Sequence, residues 1–289
     1  MGADQEDVDA LVASLDLEEI DRNLYRGHPT YWERKRLFGG IVAAQALSAA
    51  YRTVDDIQVH SLHSYFLRPG DPSIPVILDV DRIRDGRSFA TRRVVARQRG
   101  EAIFNLAASF HIVEEGFDHQ QVQPITRGPY EFSGPEDFGM SPRDFFPHNW
   151  QTRGIPIEIR YDRSPAEWKP GALERQMWFR INGELPNDAS VHNIMLTYLS
   201  DLALMGTAVS AHAPSFDNLM GASLDHAMWF HRPVKANNWL LYDMKAPSAS
   251  GARGFNIGHI YEESGSLVAS AAQEGLMRPL RRTDTPSAS

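Results

Sequence analysis

Residues Val191–Ser210 read VHNIMLTYLSDLALMGTAVS. At about 100° per residue, Ile194, Met195, Leu196, Tyr198, Leu199, Leu202, Ala203, Leu204 and Met205 cover most of a helical wheel and leave no wide polar face. That pattern predicts one continuous helix buried inside its domain. Its single carboxylate, Asp201, falls beside Ile194 and Met205, at the edge of the most apolar arc. A carboxylate taken out of water without partners is costly, so it must find donors, keep a proton or do chemistry. The other reading turns Asp201 to solvent or makes it a cap for a neighbouring loop.

Working outward, 289 residues admit one or two domains, and 42% hydrophobic content supplies a sizeable core. The chain has 29 Lys and Arg against 37 Asp and Glu, a formal charge of −8. This weighs against a nucleic-acid-binding surface, where phosphates are neutralised by clustered cations. A local basic pocket for a small anion stays open. Cysteine is absent, which excludes disulfides, thiolate nucleophiles and cysteine metal sites, and fits a reducing compartment. No apolar run approaches the roughly 18 residues that span a bilayer. The N-terminus (MGADQEDVDALVASLDLEEI) is acidic and lacks the basic region of a signal peptide. Glu6 stands where a myristoylation motif has Ser or Thr, and Ser287-Ala288-Ser289 is no peroxisomal tripeptide. The expectation is a cytoplasmic protein without a membrane span.

Along the chain, residues 7–20 predict a short amphipathic helix, and 21–29 a strand ending in a turn. After Leu37-Phe38-Gly39-Gly40, the Ala-rich run 41–51 predicts a second buried helix. Strands follow at 59–67, 76–84, 88–98 and 102–113, punctuated by Arg68-Pro69-Gly70, Asp85-Gly86 and Arg99-Gly100-Glu101. Residues 114–150 lose periodicity, gain Pro, Gly, Asp, His and Gln, and scatter Phe132, Phe138, Phe145, Phe146 and Trp150. They predict a long connection packed on a surface. Strands resume at 155–161 and 176–181, then come the Asp201 helix and strands at 223–231, 239–246, 254–261 and 267–277. The end of the chain beyond about 279 has the composition of a frayed tail.

The order repeats. Leu62-His63-Ser64-Tyr65-Phe66-Leu67-Arg68-Pro69 is echoed by Asp225-His226-Ala227-Met228-Trp229-Phe230-His231-Arg232-Pro233, and Gly100 by Gly265 at almost the same separation. Each half reads strand, buried helix, a strand ending in Arg-Pro, then three more strands, an α+β pattern. We therefore expect a first domain at 1–115, a connection at 116–150 and a second domain at 151–289.

These motifs resemble those of the acyl-CoA thioesterase II family. The resemblance rests on the two His-bearing strands, Leu37-Phe38-Gly39-Gly40, Gln45-Ala46-Leu47, Arg84-Asp85-Gly86-Arg87-Ser88-Phe89, Leu199-Ser200-Asp201, Trp239-Leu240-Leu241-Tyr242, Arg253-Gly254 and Gln273-Glu274-Gly275, and it runs from about Tyr25 to Arg278. It implies a double hotdog, two tandem antiparallel sheets each wrapped around a long central helix. It also implies hydrolysis of acyl-CoA to a free acid and CoA, with catalytic residues Asp201, Ser223 and Gln273. No cofactor or metal is implied, and a homodimer or homotetramer is expected. The chain departs from the family in two places. Ser223 stands where Thr is usual, keeping the hydroxyl but losing the β-branch. Ile41 stands where Gln is common in the first helix.

The residues themselves allow the same chemistry. Without Cys and without a Gly-x-Ser-x-Gly elbow, a covalent acyl-enzyme is disfavoured. A carboxylate can instead take a proton from water, an effect worth about 10²–10⁴ in rate. Backbone N–H groups near a helix start, or Gln273, would polarise the thioester carbonyl. Each residue has its plainer alternative. Gln273, flanked by Val268, Ala269, Ala271 and Ala272, can point to water. Its counterpart by the glycine offset is Ala108, and Gln45 in the first helix contrasts with Asp201 in the second, so one half is expected to be catalytic and one supporting. Gly39, Gly40, His63 and Arg253 are taken as substrate contacts, Arg253 toward a CoA phosphate. A histidine on an alternating strand and an arginine in a loop equally suit structural or solvated roles. His226 and His231 lie on opposite faces of one strand, which disfavours a joint metal site. The rivals are a silent acyl-CoA-binding module and a hydratase or dehydratase, although no Asp-Asn-Pro-x-x-His-like helix is present.

Overall fold

Two helices without a polar face demand walls on every side, and the sheet supplies them. In the computed structural model, residues 5–29, 36–124, 126–138, 156–163, 171–212 and 219–280 are described. The first buried helix is α2 (Gly39–Tyr51), preceded by α1 (Gln5–Ala13), β1 (Glu18–Asp21) and β2 (Leu24–Gly27). It is followed by β3 (Gln58–Phe66), β4 (Val76–Asp85), β5 (Phe89–Gln98) and β6 (Glu101–His111). The same order returns with β7 (Ile157–Tyr161), β8 (Glu174–Ile181), α3 (Ala189–Ser200), α4 (Leu204–His212) and β9 (Leu219–Ser223). It ends with β10 (Asp225–Phe230), β11 (Leu240–Ser250), β12 (Arg253–Glu262) and β13 (Leu267–Pro279).

All strand pairs are antiparallel, in the order β1-β2-β4-β5-β6-β3-β10-β13-β12-β11-β8-β7, with β9 added on β13. From the centre outward, β3-β6-β5-β4 mirrors β10-β13-β12-β11. The seam is the pair of repeated strands: Leu62 lies opposite Met228 and His63 opposite Ala227. Seam pairing removes two exposed edges at once. The Ser64 hydroxyl also donates to the His226 carbonyl at 2.7 Å.

The Arg-Pro repeat has a structural cause. Arg68 donates to the Ala102 carbonyl at 2.8 Å, and Arg232 to the Leu267 carbonyl at 2.9 Å. Each arginine ties the end of a seam strand to its neighbour, and the following proline, with no N–H, stops the ladder there. Counting back from Arg-Pro, His226 matches Leu62 rather than His63. The two histidines accordingly differ: His226 is fully buried and His63 is exposed.

Five expectations need correcting. The continuous helix at 191–210 is two helices, broken at Asp201–Ala203, where Leu202 N–H donates to the Leu199 carbonyl and Gly206 N–H to the Ala203 carbonyl. The strand at 223–231 is also two. β13 pairs β10 through Ala269–Ala272 and β9 through Gly275–Pro279, so the break at Leu224 faces Gln273 and Glu274. The N-terminal helix ends at Ala13, and what looked like one strand over 21–29 belongs to a β1–β2 hairpin turned at Asn23, whose φ is 63°. Lastly, Ala189–His212 does have the length and apolarity of a membrane-spanning helix, a reading that its single charge permits. Most of it is enclosed by protein, and it is the core of this fold.

The connection after β6 packs as expected where it is described. Gln120 exchanges hydrogen bonds with the backbone of Gly265 and Leu267, and Phe132 is buried with Trp178, Trp239, Leu241, Tyr261 and Leu267. Phe145, Phe146, Trp150 and the tail from 281 lie outside the described residues. Gln45 donates to the Ser14 and His28 carbonyls at 3.0 and 2.7 Å, clamping the N-terminal segment onto α2. It is a structural clamp, which explains why it does not mirror Asp201.

Candidate active site

Asp201 is the residue on which α3 ends, with φ −80° and ψ −8°, and it is only 8% exposed. Three elements converge on it. From β13, inward-facing Gln273 donates its Nε2 to Oδ1 at 2.5 Å. From the end of β9, opposite Gly275, the Ser223 hydroxyl donates to the same carboxylate. From the first turn of α2, in the other half of the chain, the Gly40 N–H donates to it as well. Phe38, at the N-cap of α2, offers no side-chain cap, so the helix start is left to face the carboxylate.

The glycines there are steric requirements. A Cβ on Gly39 would lie 2.7 Å from Asp201 Oδ2 and 2.5 Å from the Phe66 ring. One on Gly40 would lie 2.6 Å from the Tyr198 carbonyl. Only bare backbone lets α2 approach α3 this closely.

Burial pushes the Asp201 carboxyl up to about 7, against hydrogen bonds from Gln273, Gly40 and Ser223 that pull it down. A carboxyl lifted toward neutrality is a stronger proton acceptor than an ordinary exposed carboxylate. Gln273 also holds a buried Oε1 with no hydrogen-bond partner from the protein, an acceptor beside the carboxylate. Asn256, opposite Gln273 on β12, donates to the Gln273 and Gly254 carbonyls and accepts from the Ala208 N–H at 2.9 Å, tying α4 to this part of the sheet. Behind the site, the Tyr242 hydroxyl donates to the Ser200 carbonyl at 3.2 Å, and its phenol is held well above its usual range by burial and by Asp201. His226 Nε2 lies 2.8 Å from Ser200 Oγ, and burial pushes its imidazole down to about 4, which keeps it neutral.

The structure thus brings Asp201, Ser223, Gln273, Gly39 and Gly40 together. It does not bring His63 or Arg253 to them. His63 is exposed on the outer face, edge-on to Trp229 at 5.3 Å between ring centres. Arg253 pairs with Glu274 on that same face at 2.9 Å. The pattern reading missed Asn256 and Tyr242. The available signal was phase: Gln273 lies in step with Ala271, Gly275 and Met277, and Asn256 with Gly254 and Gly258. Among the described residues no cluster of three or more His, Asp or Glu is arranged to hold a metal.

A buried carboxylate met by donors from β13, β9 and the start of α2 thus sits within one large antiparallel sheet wrapped about apolar helices. Residues 153–276 match the family described as acyl-CoA thioesterase, and 28–111 match the acyl-CoA thioesterase N-terminal domain. Acyl-coenzyme A thioesterase 8 of Mus musculus is 40% identical over 280 residues, covering 91% of this chain and 87% of that protein. Acyl-CoA thioesterase 2 of Haemophilus influenzae is 36% identical over 276 residues, covering 93% and 96%. Among solved structures, acyl-CoA thioesterase II TesB2 of Mycobacterium marinum superposes with a TM-score of 0.79 at 42% identity, over 94% of this chain and 99% of that one. A hotdog-fold protein from Alicyclobacillus acidocaldarius shares the fold with a TM-score of 0.78 at 22% identity, over 94% and 99%. The chain belongs to the acyl-CoA thioesterase II family and is a thioester hydrolase.

Proposed function

We propose that Asp201 is the general base for direct attack of water on the thioester of acyl-CoA. The observation that carries this is the buried carboxylate met by donors from three elements, with the unpartnered Gln273 Oε1 and the Ser223 hydroxyl beside it. Water held among these three groups gives its proton to Asp201 as its oxygen bonds to the acyl carbon. The carbon–sulfur bond then breaks, and the proton passes from Asp201 to the departing sulfur, giving free acid and CoA. The positive end of α2, with its Gly39-Gly40 backbone, stabilises the negative charge gathered here.

The mirrored strand order supports reading the molecule as a double hotdog, one unit over 1–115, one over 151–289, with 116–150 connecting them. The second unit supplies the three catalytic side chains and the first supplies the start of α2. Exposed Tyr65, Trp229 and Phe255 on the outer face support a homodimer or homotetramer, and the absence of cysteine supports a cytoplasmic setting.

Thiol release from acyl-CoA, followed with a chromogenic disulfide, tests the reading. Asp201→Asn should lose about 10²–10⁴ of kcat. Ser223→Ala and Gln273→Ala should each lower kcat more than they raise KM, because their contacts matter chiefly in the transition state. Full turnover by Asp201→Asn contradicts the mechanism, and acyl-CoA binding without any CoA release contradicts the reaction.

A further inference from the structure

We propose that Tyr242 and His226 are positioning residues for Asp201: they hold Ser200, the residue before it, by its carbonyl and its hydroxyl, and so fix where α3 stops and where the carboxylate is carried. This rests on the reading of Asp201 as the base. The need for such a brace lies in the chain itself. The run 191–210 has no proline and no glycine before Gly206, so its own preferences favour one uninterrupted helix. Yet Asp201 has ψ −8°, far from the helical value of about −42°, and a new helix begins only at Leu204. The turn is imposed from outside.

Two strands impose it. The last four carbonyls of a helix have no partner within it, and that of Ser200 is met by the Tyr242 hydroxyl at 3.2 Å. The phenol reaches it from β11 across Gly258 of β12. A Cβ at Gly258 would lie 2.3 Å from the Tyr242 ring, so β12 gives up a side chain to seat it. Phe179 packs edge-on against the same ring at 5.7 Å between centres. From β10, His226 Nε2 meets Ser200 Oγ at 2.8 Å, and Oγ also lies 3.0 Å from the Thr197 carbonyl. Both contacts are hydrogen bonds only if Oγ–H donates to Thr197 and Oγ accepts from Nε2–H. That tautomer leaves Nδ1, buried without a partner, no proton to satisfy. The strand is itself pinned at the seam by the Ser64 hydroxyl, and Ser200, His226 and Tyr242 are all fully buried.

These hydrogen bonds end on Ser200, one residue short of the carboxylate, which receives Gln273, Ser223 and Gly40 in one orientation. A shift of Ser200 takes Asp201 away from donors that hold its pKa down, so the pKa rises further. Nothing else packed against Asp201 titrates near pH 7. At this end α2 and β9 bring no ionisable side chain, Tyr242 and His226 are neutral, and Arg175 of β8, near Gly206, stays charged. Asp225 and Glu274 alternate to the outer face.

Tyr242→Phe removes one oxygen and keeps the ring. It is read by kcat, KM and the titration of Asp201, followed by ¹³C NMR of carboxyl-labelled aspartate and assigned by the signal lost in Asp201→Asn. We expect kcat to fall about tenfold or more with KM within about twofold, and both the titration and the acid limb of kcat/KM to move to higher pH. A role in packing alone would lower the melting temperature and leave the titration in place. His226→Leu fills the space without a donor and should act like Tyr242→Phe, whereas His226→Gln, whose amide can donate to Ser200, should recover most of the activity. In a Ser200→Ala background His226→Leu should change nothing further, because its effect passes through that hydroxyl. Tyr242→Phe carries the test alone if the variants at 226 do not fold. Folded Tyr242→Phe with wild-type kcat and an unmoved Asp201 titration overturns the proposal, as does His226→Gln no better than His226→Leu. If Asp201→Asn kept full turnover while Tyr242→Phe still moved the carboxyl titration, the base assigned above would fall and the brace would stand.

Discussion

Asp201 shows how one residue can work against the fold that holds it. Its carboxyl, ordinarily near 3.8, is lifted by burial to about 7. Between these two values the folded protein keeps a proton that the unfolded chain has already released. Stability is therefore highest below about pH 4 with respect to this group, falls as pH rises to about 7, and is flat above. Asp201→Asn carries no charge to bury and keeps an acceptor for Gln273. Its melting temperature should exceed that of the wild type at pH 8 and match it near pH 4, in thermal scans at both values. Activity should run the other way, with wild-type kcat/KM declining as pH drops below about 7, because protonated Asp201 cannot accept a proton. A variant no more stable at pH 8 than at pH 4, relative to wild type, would mean the carboxylate is not desolvated.

At the scale of elements, the site is a meeting of ends: the close of α3, the start of α2, the close of β9 and an inward position of β13. Gly39→Ala tests how tightly they meet. Its Cβ must push back either the Phe66 ring or the carboxylate, costing about 1–3 kcal/mol in denaturant titrations. Because Asp201 is displaced, kcat/KM should fall about tenfold or more even in fully folded protein; a variant as active as wild type would show slack in the site. The same ends explain what could be read from residues alone. The strands, their hairpin turns and the buried helices were visible as alternation, Gly-Pro punctuation and unbroken apolarity. The breaks at Asp201–Ala203 and Leu224 were not, since neither carries a glycine or proline and each is imposed by partners distant in sequence. Asp201 itself stood out as a charge in an apolar run. Ser223 and Gln273 came only from resemblance, because a hydroxyl and an amide on alternating strands look the same whether they face water or a carboxylate. The equation of His63 with His226 failed because identical letters hid a one-residue shift, and one residue in a strand exchanges the two faces.

At the scale of the molecule, the repeated strand order gives the sheet a near-symmetry that the surroundings of Asp201 do not share. β3 pairs with β10 as its own mirror partner, and both arginines tie down their strand ends alike. Yet Ala108 stands at the counterpart of Gln273, and Gln45 is committed to the N-terminal segment. Among the described residues the first half therefore carries no counterpart of Asp201 or Gln273 and instead lends the start of α2 to that carboxylate, so the proposed base sits inside a frame that both halves build. On the proposed mechanism Asp201 activates water rather than attacking the acyl carbon itself. Single-turnover hydrolysis of acyl-CoA in ¹⁸O-labelled water, with mass spectrometry of both the released acid and the Asp201 peptide, tests this. Direct attack by water predicts one ¹⁸O in the free acid and none in Asp201, whereas label in Asp201 with an unlabelled acid would contradict it.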